Sequence, residues 1–289
     1  MQPQIRTYIA SDGYRLHYRH WEPAGATPRA IIVALHGIQS HSGWFTYSSG
    51  RLCQAGFEVF YLDRRGSGMN EPSRGHVEDY KMLLADVSQS LADIRRARNR
   101  ADPPPPVILL GASWGGKLAA IVAARNPEVI DGLALLYPGL CSRVRARWDQ
   151  NLRLKLAEWL RIRNKRVRVP LDDAAFFTDE PRWREFIRSD PLALHEVTVS
   201  FLLANRDFDR LLASCPAAIH CPVLLMLAAN DQITDNEATR RYVAQFSSQD
   251  ASVIEYPHAR HALEFEPDRD KFIDDLIAWL DRLAPRQPD

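Results

Sequence analysis

A serine, an aspartate and a pair of histidines are the residues in this chain whose types and spacing could do chemistry. Ser113 lies in Gly111-Ala112-Ser113-Trp114-Gly115, with a glycine two residues before it and another two after. That spacing suits a strand-to-helix turn too tight for larger side chains, and it lifts a hydroxyl above the end of the strand. A serine hydroxyl alone is a weak nucleophile. It needs a histidine to take its proton, an acid to orient that histidine, and backbone donors for the oxyanion formed on the attacked carbonyl. Asp231 offers the acid, with Asp235 nearby as a rival that reads better as a helix cap. His258 and His261 compete for the role of base. Two histidines three apart without a cysteine or carboxylate set do not make a metal site, and nothing in the sequence calls for a metal or cofactor. Gly66 to Asn70 lacks the lysine and spacing of a phosphate loop.

These residues have to be carried by elements that converge. Val107 to Ala112 is a short apolar run and predicts a buried strand, and the alanine-rich stretch after Ser113 predicts a helix. Similar runs at 30–35, 56–62, 129–137 and 222–229 predict further strands, with a last one at 252–256. Helical spacing lies between them, at 80–100, 236–246 and 268–283 among others, and the alternation of residues 5–21 predicts an edge hairpin. Strand and helix alternating in this way predict an α/β fold with a mostly parallel, doubly wound sheet. Ser113, Asp231 and His261 each fall just past a predicted strand. In an open parallel sheet those carboxyl ends share one rim, so residues far apart in sequence can meet there.

The rhythm breaks between Pro138 and about Cys215, where no strand is predicted. Residues 143–168 hold ten arginines and lysines against two acids, Asp149 and Glu158. Trp148, Leu152, Leu156, Trp159 and Leu160 recur at helical spacing, and an aromatic cluster of Phe176, Phe177, Trp183 and Phe186 precedes a second helical pattern at 192–212. The division predicted is a first core segment at 1–138, a helical cap or lid insertion at 139–215 and a second core segment at 216–289. The cap is expected above Ser113, with Trp148, Trp159, Phe176, Phe177, Trp183 and Phe186 as candidate substrate-binding residues. Its basic helix reads as a solvated face or as a segment making transient contact with an anionic membrane surface.

Composition limits the function classes. Apolar residues make up 46% and charged residues 25% of the 289, which is the globular average. A net charge of +1 argues against a nucleic-acid partner. Cys53, Cys141, Cys215 and Cys221 lack metal-ligand spacing and are too few for a disulfide scaffold, so they read as thiols in a reducing compartment. No signal-peptide core or membrane-length apolar run is visible, and a cytoplasmic location is the expectation. The oligomeric state stays open.

The order serine, aspartate, histidine, and the segments HGIQSH (36–41), DRRGSGMN (63–70), GASWGG (111–116), ANDQITD (229–235) and ARHALEFE (259–266), resemble the α/β-hydrolases. More narrowly, the chain is similar to their monoacylglycerol lipase, lysophospholipase and serine aminopeptidase branch. The resemblance implies Ser113 as nucleophile, His261 as base, Asp231 as its orienter, and the backbone N–H groups of Ile38 and Trp114 as the oxyanion hole. It implies a small-molecule or lipid-like ester as substrate. Two alternatives remain: a proline-releasing aminopeptidase, for which Asp172, Asp173, Asp179 and Glu180 could hold a substrate amine, and a ligand-binding protein that keeps the fold without catalysis.

Overall fold

The computed structural model describes residues 2–25, 27–98, 103–144 and 148–285, with only the backbone described at 148–152. Ten strands run in chain order as β1 (Gln4–Ile9), β2 (Arg15–Trp21), β3 (Ile31–Leu35), β4 (Glu58–Leu62), β5 (Val107–Ala112), β6 (Gly132–Leu136), β7 (Arg166–Arg168), β8 (Glu196–Thr198), β9 (Val223–Ala228) and β10 (Ala251–Tyr256). The α-helices are α1 (Thr46–Gln54), α2 (Tyr80–Arg98), α3 (Trp114–Arg125), α4 (Trp148–Trp159), α5 (Pro181–Ser189), α6 (Val199–Leu212), α7 (Asn236–Val243) and α8 (Arg269–Leu283). None of those described is long and apolar enough to cross a membrane.

Eight strands form one sheet in the order β1-β2-β4-β3-β5-β6-β9-β10. Pairing is antiparallel from β1 to β2 and from β2 to β4, and parallel from there on. The middle strands read IIVAL, VILLGA, GLALL and VLLMLA, and every residue in them is buried. Runs apolar on both faces are stable only when helices cover both faces, which forces the parallel, doubly wound arrangement. The fold is that of an α/β-hydrolase. The carboxyl ends of β5, β9 and β10 share one rim, and the candidate residues leave the sheet there.

Between β6 and β9 the chain holds α4, β7, α5, β8 and α6. The two short strands correct the expectation of an all-helical stretch: Arg166, Val167 and Arg168 pair antiparallel with Thr198, Val197 and Glu196. Three residues a side leave no alternation to read in the sequence. The same strand delays α6, expected from Leu192, to Val199, where the Thr198 hydroxyl caps it by accepting from the Phe201 N–H.

The part of this insertion around α5 is fastened to the core. Asp190, at the end of α5, accepts hydrogen bonds from His41 (2.9 Å) and from the Trp44 indole (2.6 Å). Backbone bonds run from Leu194 N–H to the Gln39 carbonyl and from Ala262 N–H to the Phe177 carbonyl, both 2.9 Å. Asp190 is held below the usual carboxylate range: burial pushes it up, and the hydrogen bonds from His41, Trp44 and the Leu192 N–H outweigh that push.

Candidate active site

Ser113 sits between β5 and α3 with φ 52° and ψ −123°, a backbone region that side chains rarely occupy. Such strain persists only where the surroundings enforce it, and they do so through close approach. A Cβ at Gly115 would stand 2.4 Å from the Leu35 carbonyl oxygen, and one at Gly111 would stand 2.6 Å from that of Gly115. The two glycines let α3 start directly against β3. The hydroxyl is thereby carried to the rim of the sheet.

His261 Nε2 lies 2.8 Å from Ser113 Oγ, and its Nδ1 lies 2.7 Å from Asp231 Oδ2. The other Asp231 oxygen accepts from the N–H groups of Ile233 (2.7 Å) and Thr234 (2.9 Å). Burial pushes the Asp231 carboxyl up, while the charge and hydrogen bond of His261 and the two backbone donors hold it below the usual range, so it stays ionised beside the imidazole. Of the competing residues, His258 is exposed and Asp235 caps α7 by accepting from the Ala238 N–H. The His261 ring meets Tyr137 and Phe177 edge-on, at centroid distances of 4.9 and 5.9 Å.

The backbone donors that the resemblance implies belong to Ile38 and Trp114. Trp114 opens α3, where the first N–H groups of a helix have no partner inside the helix. Among the described backbone hydrogen bonds outside helices and strands, none uses the N–H of Trp114 or of Ile38. The Ile38 loop is held by its neighbours: Gly37 N–H donates to Ser40 Oγ at 2.9 Å, and the Arg64 guanidinium donates to the Ile38 carbonyl at 2.5 Å. Arg64 is buried, with its Cζ 5.0 Å from the ring centroids of both Trp114 and Phe201. It thus touches both residues, Ile38 and Trp114, that the resemblance offers as oxyanion donors. His36 accepts from the Arg64 N–H and pairs its other nitrogen with the Gly37 carbonyl. Burial, then the Arg64 charge, pushes His36 down to about 3, and the neutral ring braces the loop. The DRRGSGMN segment also proves structural: Asp63 accepts from Ser42 N–H and Met69 N–H at 2.7 and 2.9 Å.

A small pocket with about 20 Å³ of free space borders Ser113, walled by Ile38, Tyr137, Leu171, Phe177 and Phe265 among others. Trp44, Glu264 and Phe265 separate it from a groove of about 510 Å³, lined also by Tyr47, Trp183 and Phe186. Of the six aromatic residues expected to bind substrate, Phe177 lines the serine pocket and Trp183 and Phe186 line the groove. Phe176 lines neither and packs against the core. Trp159 corrects the expectation outright, because 77% of it is exposed to solvent. The Trp148 side chain lies outside the described residues. Tyr137, Trp44, Arg64 and Glu264 were given no role by the sequence, although Arg64 and Glu264 lie within the segments DRRGSGMN and ARHALEFE that carry the resemblance and Tyr137 ends a predicted strand.

Fold and site together define an α/β-hydrolase. The sequence model of the family described as "Serine aminopeptidase, S33" matches residues 26–268, and the chain belongs to that family. It is 26% identical to a monoglyceride lipase of Rattus norvegicus over 259 residues, covering 89% of this chain and 83% of that one. Its identity to a monoacylglycerol lipase of Mycolicibacterium smegmatis is also 26%, over 280 residues and 95% of each. Among solved structures, a soluble variant of monoglyceride lipase from Saccharomyces cerevisiae superposes with a TM-score of 0.86 at 20% identity, over 99% of this chain and 97% of that one. The chain is a monoacylglycerol lipase-like enzyme of the carboxylic ester hydrolase class.

Proposed function

We propose that the protein cleaves carboxylic esters of apolar acyl groups, monoacylglycerol-like or lysophospholipid-like, through an acyl-enzyme on Ser113. The observation that carries the reading is the unbroken chain from Ser113 Oγ to His261 to Asp231, at 2.8 and 2.7 Å. Ser113 Oγ attacks the ester carbonyl while His261 Nε2 takes its proton; the same proton passes to the leaving alcohol oxygen, and water repeats the sequence to release the acid. Asp231 holds Nδ1–H toward itself, leaving Nε2 free to accept. The N–H groups of Ile38 and Trp114 receive the negative charge that develops on the carbonyl oxygen. Apolar acyl groups fit the walls of Leu171, Phe177 and Phe265, and lipase names among the relatives support the same class.

The acids expected to hold an amine in the aminopeptidase alternative, Asp172, Asp173, Asp179 and Glu180, do not line the serine pocket. Asp179 pairs with Arg184 and Arg260, Asp172 with Arg168, and Asp173 caps a short turn. The test is hydrolysis of a p-nitrophenyl ester series of rising acyl length beside a prolyl anilide, with Ser113→Ala in parallel. Ester turnover lost in the variant supports the proposal. Anilide cleavage alone, or turnover unaffected by the substitution, overturns it.

A further inference from the structure

The first turn of α3 is gripped by the insertion. Along α6, Phe201, Asn205, Phe208 and Asp209 recur at spacings of three and four, which puts them on one face, and that face meets α3. Asn205 Oδ1 accepts from the Trp114 indole N–H at 2.9 Å and from the Lys117 ammonium at 3.1 Å. Two donors converging on one oxygen fix which end of the amide faces α3. The Trp114 ring is buried, with the rings of Phe201 and Phe208 at centroid distances of 5.4 and 5.6 Å.

Lys117 is buried in the first turn of α3, where a cation opposes the helix dipole. Such a charge is tolerated only with partners, and α6 supplies two, Asn205 and Asp209. One amide thus holds Trp114 and Lys117, three residues apart on α3, side by side. Between Ser113 and Trp114 lies the peptide whose N–H the resemblance offers to the oxyanion. One end of that peptide is the strained Ser113, whose carbonyl accepts from the Gly116 N–H at 2.9 Å and the Gly139 N–H at 2.7 Å. Its other end is the Trp114 Cα, whose side chain finishes on Asn205. Rotating this peptide re-aims the N–H, and a donor turned off line stabilises an oxyanion less.

We propose that Asn205 is a positioning residue for ester cleavage: by pinning the Trp114 indole beside Lys117, it sets the direction of the Trp114 N–H toward the oxyanion. The inference rests on the proposed reaction at Ser113. No residue of α6 lines the serine pocket, so the effect of Asn205 falls on the transition state and not on substrate binding. Part of the catalytic frame is then supplied by the insertion.

The experiment measures steady-state hydrolysis of a short-chain p-nitrophenyl ester, and the rate of Ser113 labelling by a fluorophosphonate, in which the phosphoryl oxygen takes the oxyanion position. Asn205→Leu keeps the size and removes the acceptor. It is expected to lower kcat and the labelling rate about three- to tenfold with KM within about twofold, a fraction of the loss of about 10²–10³ when an oxyanion donor is removed outright. Asn205→Asp keeps an oxygen for both donors and is expected to stay within about twofold of wild type. Trp114→Phe removes the indole donor, leaves α6 intact and carries the test if Asn205→Leu does not fold; its loss is expected to match, and the double variant to lose no more than either. Glu158→Gln breaks the exposed pair between α4 and α6 and is expected to leave kcat unchanged, which controls for general loosening. Ser113→Ala reads the proposed reaction itself, and turnover surviving there overturns both. With turnover dependent on Ser113, wild-type kcat in folded Asn205→Leu or Trp114→Phe, equal losses in Asn205→Asp, or additive losses in the double variant would each overturn the inference alone.

Discussion

Replacing Arg64 by methionine separates what the fold needs from what the reaction needs. Burial drags the Arg64 guanidinium from its ordinary 12.5 down to about 9. At about 1.36 kcal/mol per pKa unit, keeping that charge inside costs about 5 kcal/mol. On the other side stand two aromatic faces with centroids 5.0 Å from Cζ, each worth about 2 kcal/mol when desolvated. The bond to the Ile38 carbonyl adds about 1.5–3 kcal/mol for a charged donor. The two sides nearly cancel, and methionine fills the same space between Trp114 and Phe201 without the charge. Arg64→Met is therefore expected to melt within a few degrees of wild type. The Ile38 loop, however, loses its anchor. Removing an oxyanion donor outright costs about 10²–10³ in kcat, so displacing one is expected to lower kcat about 10- to 100-fold with KM within about twofold. Steady-state ester kinetics and thermal melts in one buffer decide the matter, with Arg64→Lys as the charge-keeping companion. A folded Arg64→Met enzyme with wild-type kcat would refute the reasoning, and so would a large loss of Tm, since that would show the charge to be a net stabiliser.

Other expectations follow from the same geometry. Ser113→Ala is expected to lose several orders of magnitude in ester turnover with its melting curve intact. Asp231→Asn should fall by about 10⁴-fold, because an amide no longer selects the Nδ1–H tautomer; a loss under tenfold would count against the assigned role. Burial raises Glu264 from 4.5 to about 7, so the folded state holds this proton more tightly than the unfolded chain does. Its contribution is complete below pH 4.5 and lost as pH rises through 7, by up to about 3 kcal/mol. Melting of Glu264→Gln between pH 5 and 8 should be flatter than wild type by that amount, and parallel profiles would refute it.

Much of this architecture is legible in the sequence because burial on two faces writes itself as unbroken apolar runs, as in IIVAL and VLLMLA. Ser113 and Asp231 can be read because each closely follows such a run, whereas His261 stands five residues beyond the half-exposed edge strand ASVIEY and is read from the resemblance. Residue types alone leave His258 and His261 open and the resemblance chooses His261; in the structure one ring is in solvent, and the other is enclosed by Tyr137 and Phe177. Arg64 and Glu264 lie in the segments that carry the resemblance, but their roles were not legible because their partners, Ile38, Phe201 and Ser48, are distant in sequence and follow no local period. Trp159 misled for a related reason. Periodicity says which residues share a face of α4 and is silent on whether anything lies against it.

The hydrogen bonds from His41 and Trp44 to Asp190 divide the insertion into parts of unequal fate. The length around α5 is bolted beside the oxyanion loop, and swinging it outward would strip a buried carboxylate of its donors. Helix α4 itself is paired to α6 by Arg206–Glu158, a partly exposed pair that is weak in water, while the chain after it is tied by the β7–β8 ladder and by bonds from the Val199 and Ser200 N–H groups to the Lys165 and Arg163 carbonyls. Recombination, in nature or in the laboratory, can then exchange α4 at the cost of one weak pair, but not the β7 segment without β8. An exchange that crosses Asp190 would have to carry the 36–45 loop with it. The exchangeable unit in this chain is smaller than the insertion, and its border runs between α4 and β7, where the ladder to β8 begins.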